Sequence, residues 1–145
     1  MATLREQILQ ALVAVVATVP GIASTSRTRE RATPVVESDC PALDLSPESE
    51  PDPQALGWGA DRRELALAFK IHTAGNGAYG LADPIVQSLH TKLYIDPTLG
   101  GLATTILPGA TDFARDDTDQ TIGRTTVRYT IVYTTRRGDL SAKAR

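Results

Sequence analysis

Leu4, Ile8, Leu12, Val15, Val16 and Val19 recur with helical spacing and form one apolar stripe. Thr3 and Glu6 precede them as a capping box, and Pro20-Gly21 ends the run, so a helix of about four to five turns is expected. Residues 22–37, IASTSRTRERATPVVE, hold few core candidates and read as an edge strand or strand plus arm, with Arg27, Arg29 and Arg31 alternating on an exposed face. CPALDLS reads as a short strand with Leu43 and Leu45 inward. The acidic, Pro-rich stretch 46–61 reads as a loop, of a length that in compact domains usually marks function or disorder.

RRELALAFKIHT alternates with a period of two: Leu65, Leu67, Phe69 and Ile71 face the core, while Glu64, Lys70 and His72 face outward. After a glycine-rich connection, Asp83-Pro84 suits a helix start, and Val86, Leu89 and Leu93 mark the stripe of a second helix. A strand around Ala103 to Pro108 and a polar loop follow. GRTTVRYTIVYTTRRGDL is the strongest strand, with Val127, Tyr129, Ile131 and Tyr133 on one face and Arg128, Thr130, Val132 and Thr134 on the other. The order α-β-β-β-α-β-β predicts an α+β fold: an antiparallel or mixed sheet of about four to five strands with both helices on one face.

The length of 145 residues suits one domain, 1–145, and an apolar content of 41% is that of a globular chain. A lone cysteine, Cys40, excludes an intrachain disulfide, and two histidines, His72 and His90, leave little for a metal centre. The net charge of -2 argues against a dedicated nucleic-acid binder. Charge is nonetheless segregated. Residues 32–60 carry Glu37, Asp39, Asp44, Glu48, Glu50 and Asp52 with no base; from Gln120 onward Arg124, Arg128, Arg136, Arg137, Lys143 and Arg145 face one acid, Asp139. Such segregation suits head-to-tail contact between copies; the plainer reading is two solvated faces. No segment has the length of a membrane span. The N-terminus has the outline of a secretory signal, but Glu6 offsets Arg5 and polar Gln7 and Gln10 interrupt the run, so a cytoplasmic helix is the expectation.

Gly75, Gly77 and Gly80 spell the G-x-G-x-x-G of a dinucleotide loop, and Asp96 lies at about the spacing of a ribose-binding acid. The context disagrees. The preceding strand has a polar face, the expected helix start at Asp83 comes three residues too late, and an aspartate there repels phosphate. The motif reads as a flexible strand-to-helix connection. Asp112, Asp116, Asp117 and Asp119 fit no calcium-loop register. Neither histidine has a sequence neighbour that makes it a base, and Cys40 reads as an inert thiol. No catalytic, cofactor-binding or metal site emerges.

The segments DPTLGGL (96–102) and YTIVYTTRRGD (129–139), with LREQILQALVAVV, PALDL and ELALAFKIHT, resemble the tail terminator (minor tail protein) family of long-tailed phages, whose relatives occur in prophages and gene transfer agents. The resemblance spans nearly the whole chain, through short motifs of which none is chemically diagnostic. It implies a non-enzymatic virion protein of the tail or neck, assembled in the bacterial host cytoplasm. Such a protein forms a homo-hexameric ring that caps the tail tube, stops its polymerisation and helps join tail to head. The implied partners are other copies of the chain, the tail tube protein and a head-completion or connector protein; DNA passes the lumen without specific binding, and no membrane or cofactor is involved. On that reading Arg128, Arg136 and Arg137 contact acids of a neighbour or the tube. Trp58, in a glycine-flanked loop, is either an interface anchor or a lid folded on the core. Two other classes stay open: a neck or head-completion protein on the portal side, and a small ligand-binding or enzymatic domain using the Gly75–Gly80 loop.

Overall fold

A computed structural model describes residues 2–27, 37–75, 77–115 and 121–144. Helix α1 (Leu4–Val16) leads into β1 (Ser24–Arg27), β2 (Ala42–Ser49), β3 (Gln54–Leu56) and β4 (Ala60–Ala74). Helix α2 (Ala78–Leu93) is followed by β5 (Thr105–Arg115), β6 (Ile122–Arg136) and β7 (Asp139–Lys143). The strands make one mixed sheet in the order β1-β2-β4-β6-β5, with β3 extending the β2 side along β4 and β7 extending the β5 side along β6. Only β1 with β2 is parallel.

The expected α+β fold is present, with more strands than the pattern gave. The stretch 46–61 is not one loop: β2 runs to Ser49, and Gln54–Leu56 turns back to pair with β4 across Gly57 to Gly59. Gly59, at φ +77°, supplies the left-handed residue of that tight turn. Beyond Arg136 a second hairpin adds β7. These pieces escape a pattern reading because β3 is exposed on both faces and β7 buries neither face well, so neither alternates.

β4 and β6 pair without a break from Ala60↔Arg136 to Ala74↔Ile122, a ribbon about 48 Å long at the usual strand rise. Leu43 and Leu45, Leu65 to Ile71 on alternate positions, and Val127 to Tyr133 on alternate positions form one apolar face. Leu4, Ile8, Leu12 and Val16 of α1 and Ala82, Ile85, Leu89 and Leu93 of α2 close over it. Phe69 and Tyr129 meet edge to face at its centre, 5.8 Å apart.

Thr3 caps α1 by accepting from the Glu6 amide at 3.2 Å, one half of the capping box. The Glu6 carboxylate turns instead to Arg27 of β1, accepting at 2.8 and 3.2 Å, and so fastens helix to edge strand. Arg29 and Arg31 lie outside the described residues. The Arg27 hydrogen bond holds the Glu6 carboxyl below its ordinary value. A depressed carboxyl contributes stability above the unfolded value, about pH 4.3, and loses it as pH falls through the folded one. With the Glu6 side chain 36% exposed, solvent screening leaves about 0.5 kcal/mol. Glu6→Gln should therefore melt slightly below the wild type at neutral pH and coincide with it near about pH 3. Thermal melts at both values check this, and a gap of equal size at both contradicts it.

Candidate functional site

The glycine motif occupies the end of the ribbon where β4 finishes. α2 begins inside it, at Ala78 behind the left-handed cap Gly77 (φ +73°), not at Asp83. Asp83 and Pro84 lie within the helix. Burial decides the earlier start: Ala78 has no exposed surface and its carbonyl accepts from the Thr73 hydroxyl at 2.5 Å. The surroundings are still not those of a dinucleotide loop. β4 is antiparallel to both its long neighbours, β2 and β6, and α2 leads to an edge strand next to β6. Asp96 is spent locally: it accepts from the Thr98 amide and hydroxyl at 3.1 and 2.6 Å and from the Gly100 amide at 2.8 Å. It thereby shapes the DPTLGGL turn, in which Leu99 itself takes φ +52° and buries its side chain.

Both histidines have structural partners. His72 faces away from the helices as expected, yet is buried, its Nε2 3.1 Å from Asp44 Oδ2. Asp44 also accepts from the Ser26 hydroxyl at 2.7 Å. No sequence spacing signals this trio, because three strands bring it together. His90 Nδ1 lies 2.9 Å from the Tyr129 hydroxyl, whose titration is pushed up to about 12 by burial, with the Tyr94 charge adding to it. Among the described residues, no three His, Cys, Asp or Glu side chains are grouped to hold a metal ion. Asp112 is bound to Arg128, while Asp116, Asp117 and Asp119 lie outside the described residues.

Several charges of the segregated segments find partners within the same chain, though among the described residues only one pair, Glu48 with Arg128, joins the acidic segment to the basic one. Glu48 pairs with Arg128 at 3.1 Å, Glu50 with Arg5 and Arg63 at 3.3 and 3.4 Å, and Asp61 with Arg137 at 3.3 Å. Arg128, between Glu48 and Asp112, is thus engaged within its own chain, midway along the ribbon. The hydrogen bonds raise its already high pKa further, that to Asp112 most.

Three of the four residues singled out from sequence do converge. Trp58, on the β3–β4 turn, and Arg136 and Arg137, at the β6–β7 turn, line one shallow cleft of about 320 Å³ with Gly59, Ala60 and Ala144. The Arg137 amide donates to the Gly59 carbonyl at 2.9 Å, locking the two turns together. Trp58 is 56% exposed, so it is not a lid on the core. Ala144, just past β7, completes the lining, and no pattern marked it because β7 alternates on neither face. Arg136 projects beside Asp139, its register partner across the turn. An exposed indole flanked by guanidinium groups is the composition of an interface anchor.

No helix among the described residues is long and apolar enough to cross a membrane. No protein-family model matches the chain, and no curated protein does. Among solved structures, it is similar over 90% of its length, and 90% of the other chain's, to a chain of the "Virion of native gene transfer agent (GTA) particle", at 10% identity and a TM-score of 0.42. That likeness is too loose to assign a role.

Proposed function

We propose that this chain is a structural virion protein of the tail-terminator type, a non-catalytic subunit that assembles into a hexameric ring, caps a tail tube and presents a surface to the head. The observation that carries the reading is the Trp58–Arg136–Arg137 patch, built by two turns far apart in sequence and turned to solvent at one end of the ribbon. An exposed indole beside two guanidinium groups on a locked turn is suited to contact with another protein. The resemblance of the DPTLGGL and YTIVYTTRRGD segments supplies the kind of assembly. Charged groups around the anchor let subunits stay soluble until they meet a partner, and steer that meeting.

Light scattering on the full chain, alone and mixed with a tail tube protein from the same source, tests the reading. A species of six copies, alone or on tube ends, is expected; a monomer under both conditions overturns it. Reversing charge at both turn positions, Arg136→Glu with Arg137→Glu, should weaken ring or tube association about tenfold or more without altering the melt by more than a few degrees. Unchanged association rules the two arginines out of the contact.

A further inference from the structure

We infer that the outer edge of β5 is shut against other copies of the chain by Pro108, the bulge that follows it and the Tyr94 hydroxyl. β5 is the longest strand at the rim of the sheet, 11 residues bonded on one side to β6. Such an edge offers a row of unpaired N–H and C=O groups to any extended strand. Every residue from Leu107 to Phe113 is exposed, Leu107 at 45% and Phe113 at 61%. A long edge with two large apolar side chains in the open is a template for sheet-to-sheet association unless something interrupts it.

Three features between Ile106 and Ala110 interrupt it. The Ile106 carbonyl accepts from the Tyr94 hydroxyl at 2.8 Å, so the end of α2 takes the place that a neighbour's N–H would need. Backbone groups alternate in direction along a strand, so Pro108 falls on the same edge as Ile106, and it has no N–H to offer. Gly109 and Ala110 then stand together against Arg128 of β6, between the pairs Pro108↔Tyr129 and Thr111↔Val127. Gly109 lies so close that a Cβ there would meet the Arg128 carbonyl oxygen at 3.1 Å, which seats the bulge firmly on β6. Tyr129 and Val127 point their backbone groups the same way, and so do their partners Pro108 and Thr111. Those partners are three residues apart instead of two, a step that a regular incoming strand cannot match. One strand therefore cannot cover both Leu107 and Phe113, and contact between copies is left to other surfaces.

The test opens the edge of the full chain in a Trp58→Ala, Arg136→Glu, Arg137→Glu background, which silences the patch proposed above and so reads β5 whether or not a ring forms. Pro108→Thr with Ala110 deleted restores an N–H and a regular register, and Tyr94→Phe frees the Ile106 carbonyl. With all three changes, sedimentation should show self-association about tenfold tighter than in the background, the gain from one or two backbone hydrogen bonds. Adding Leu107→Lys, a charge beside the opened edge, should return the chain to the background level. Pro108→Thr alone, at an exposed position, should keep the melt and still associate about threefold more tightly, which separates an opened edge from a damaged fold. An opened edge that associates no more than the background overturns the inference. So does association that Leu107→Lys leaves in place, or that appears only in variants melting well below the background. Wild-type assembly that Leu107→Lys disrupts shows the edge already in use and overturns it as well.

Discussion

Gly123→Val should lower the melting temperature by about 6–12 °C, the shift that about 3 kcal/mol produces in a domain of this size. Gly123 sits in β6 opposite Thr73, where α2 crosses at its first turn. A Cβ there meets the Ala78 Cβ at 2.8 Å and the Tyr79 ring at 3.2 Å, closer than carbon atoms pack. No positive φ is involved, so an added side chain also stiffens the unfolded chain, a gain of about 0.4–1 kcal/mol. Overpacking costs about 1–3 kcal/mol for a single methylene-scale insertion and exceeds that gain; valine, branched at the clashing atom, does worse than alanine. Relief has to come from α2 lifting off the sheet, which disturbs the Tyr79–Phe113 stack (5.3 Å) and the Arg115 guanidinium over Tyr79. Pairing Gly123→Ala with Ala78→Gly should recover most of the loss of Gly123→Ala alone, because the second change removes the opposing methyl group. Wild-type melting of Gly123→Val, or no recovery in the pair, contradicts this account.

This contact also explains which parts of the molecule were legible in the chain. The alternating faces of β4 and β6 and the stripe of α1 follow from local period alone, and they are where the sequence reading and the structure agree most closely. The start of α2 does not, since Asp83-Pro84 is a sound local start signal that long-range packing of Ala78 on Gly123 overrides. β5 runs on through the polar stretch to Arg115 because β6 offers it a partner, with a bulge between Pro108 and Thr111 absorbing the irregular residues. The charge pattern was legible as segregation but not as pairing: Glu48 with Arg128 and Asp61 with Arg137 are contacts between strands far apart in sequence. Trp58 and the Arg136-Arg137 turn were each visible as unusual residues in turns. Their meeting depends on the in-register pairing of Ala60 with Arg136, which only the folded sheet fixes.

Glu50→Ala should destabilise the chain by about 3 kcal/mol, although the position lies in a stretch whose composition reads as an exposed acidic loop. Its side chain is only 10% exposed. One carboxylate oxygen accepts from the buried Tyr133 hydroxyl at 2.6 Å, and the other meets Arg5 of α1 and Arg63 of β4. Burial first, then the Glu50 hydrogen bond and charge, push the Tyr133 titration well above the usual tyrosine range, so the hydroxyl stays a donor throughout the physiological range. Removing the carboxylate orphans a buried hydroxyl, at about 1–3 kcal/mol, and leaves two guanidinium groups facing each other without their shared anion. Arg5 is 45% exposed and recovers by turning to water; Arg63, at 18%, is held by its bond to Thr135 and does not. Glu50→Gln keeps an acceptor for Tyr133 but not the charge, so its loss should be roughly half as large, which separates the hydroxyl's share from the arginines'. Denaturant melts of the two variants give the comparison. Equal losses assign the whole effect to charge, and no loss in either shows that Glu50 does not join α1 to the sheet. If the first outcome holds, Arg63→Met with Glu50→Leu should restore much of the stability, since replacing both buried charges leaves neither unpaired.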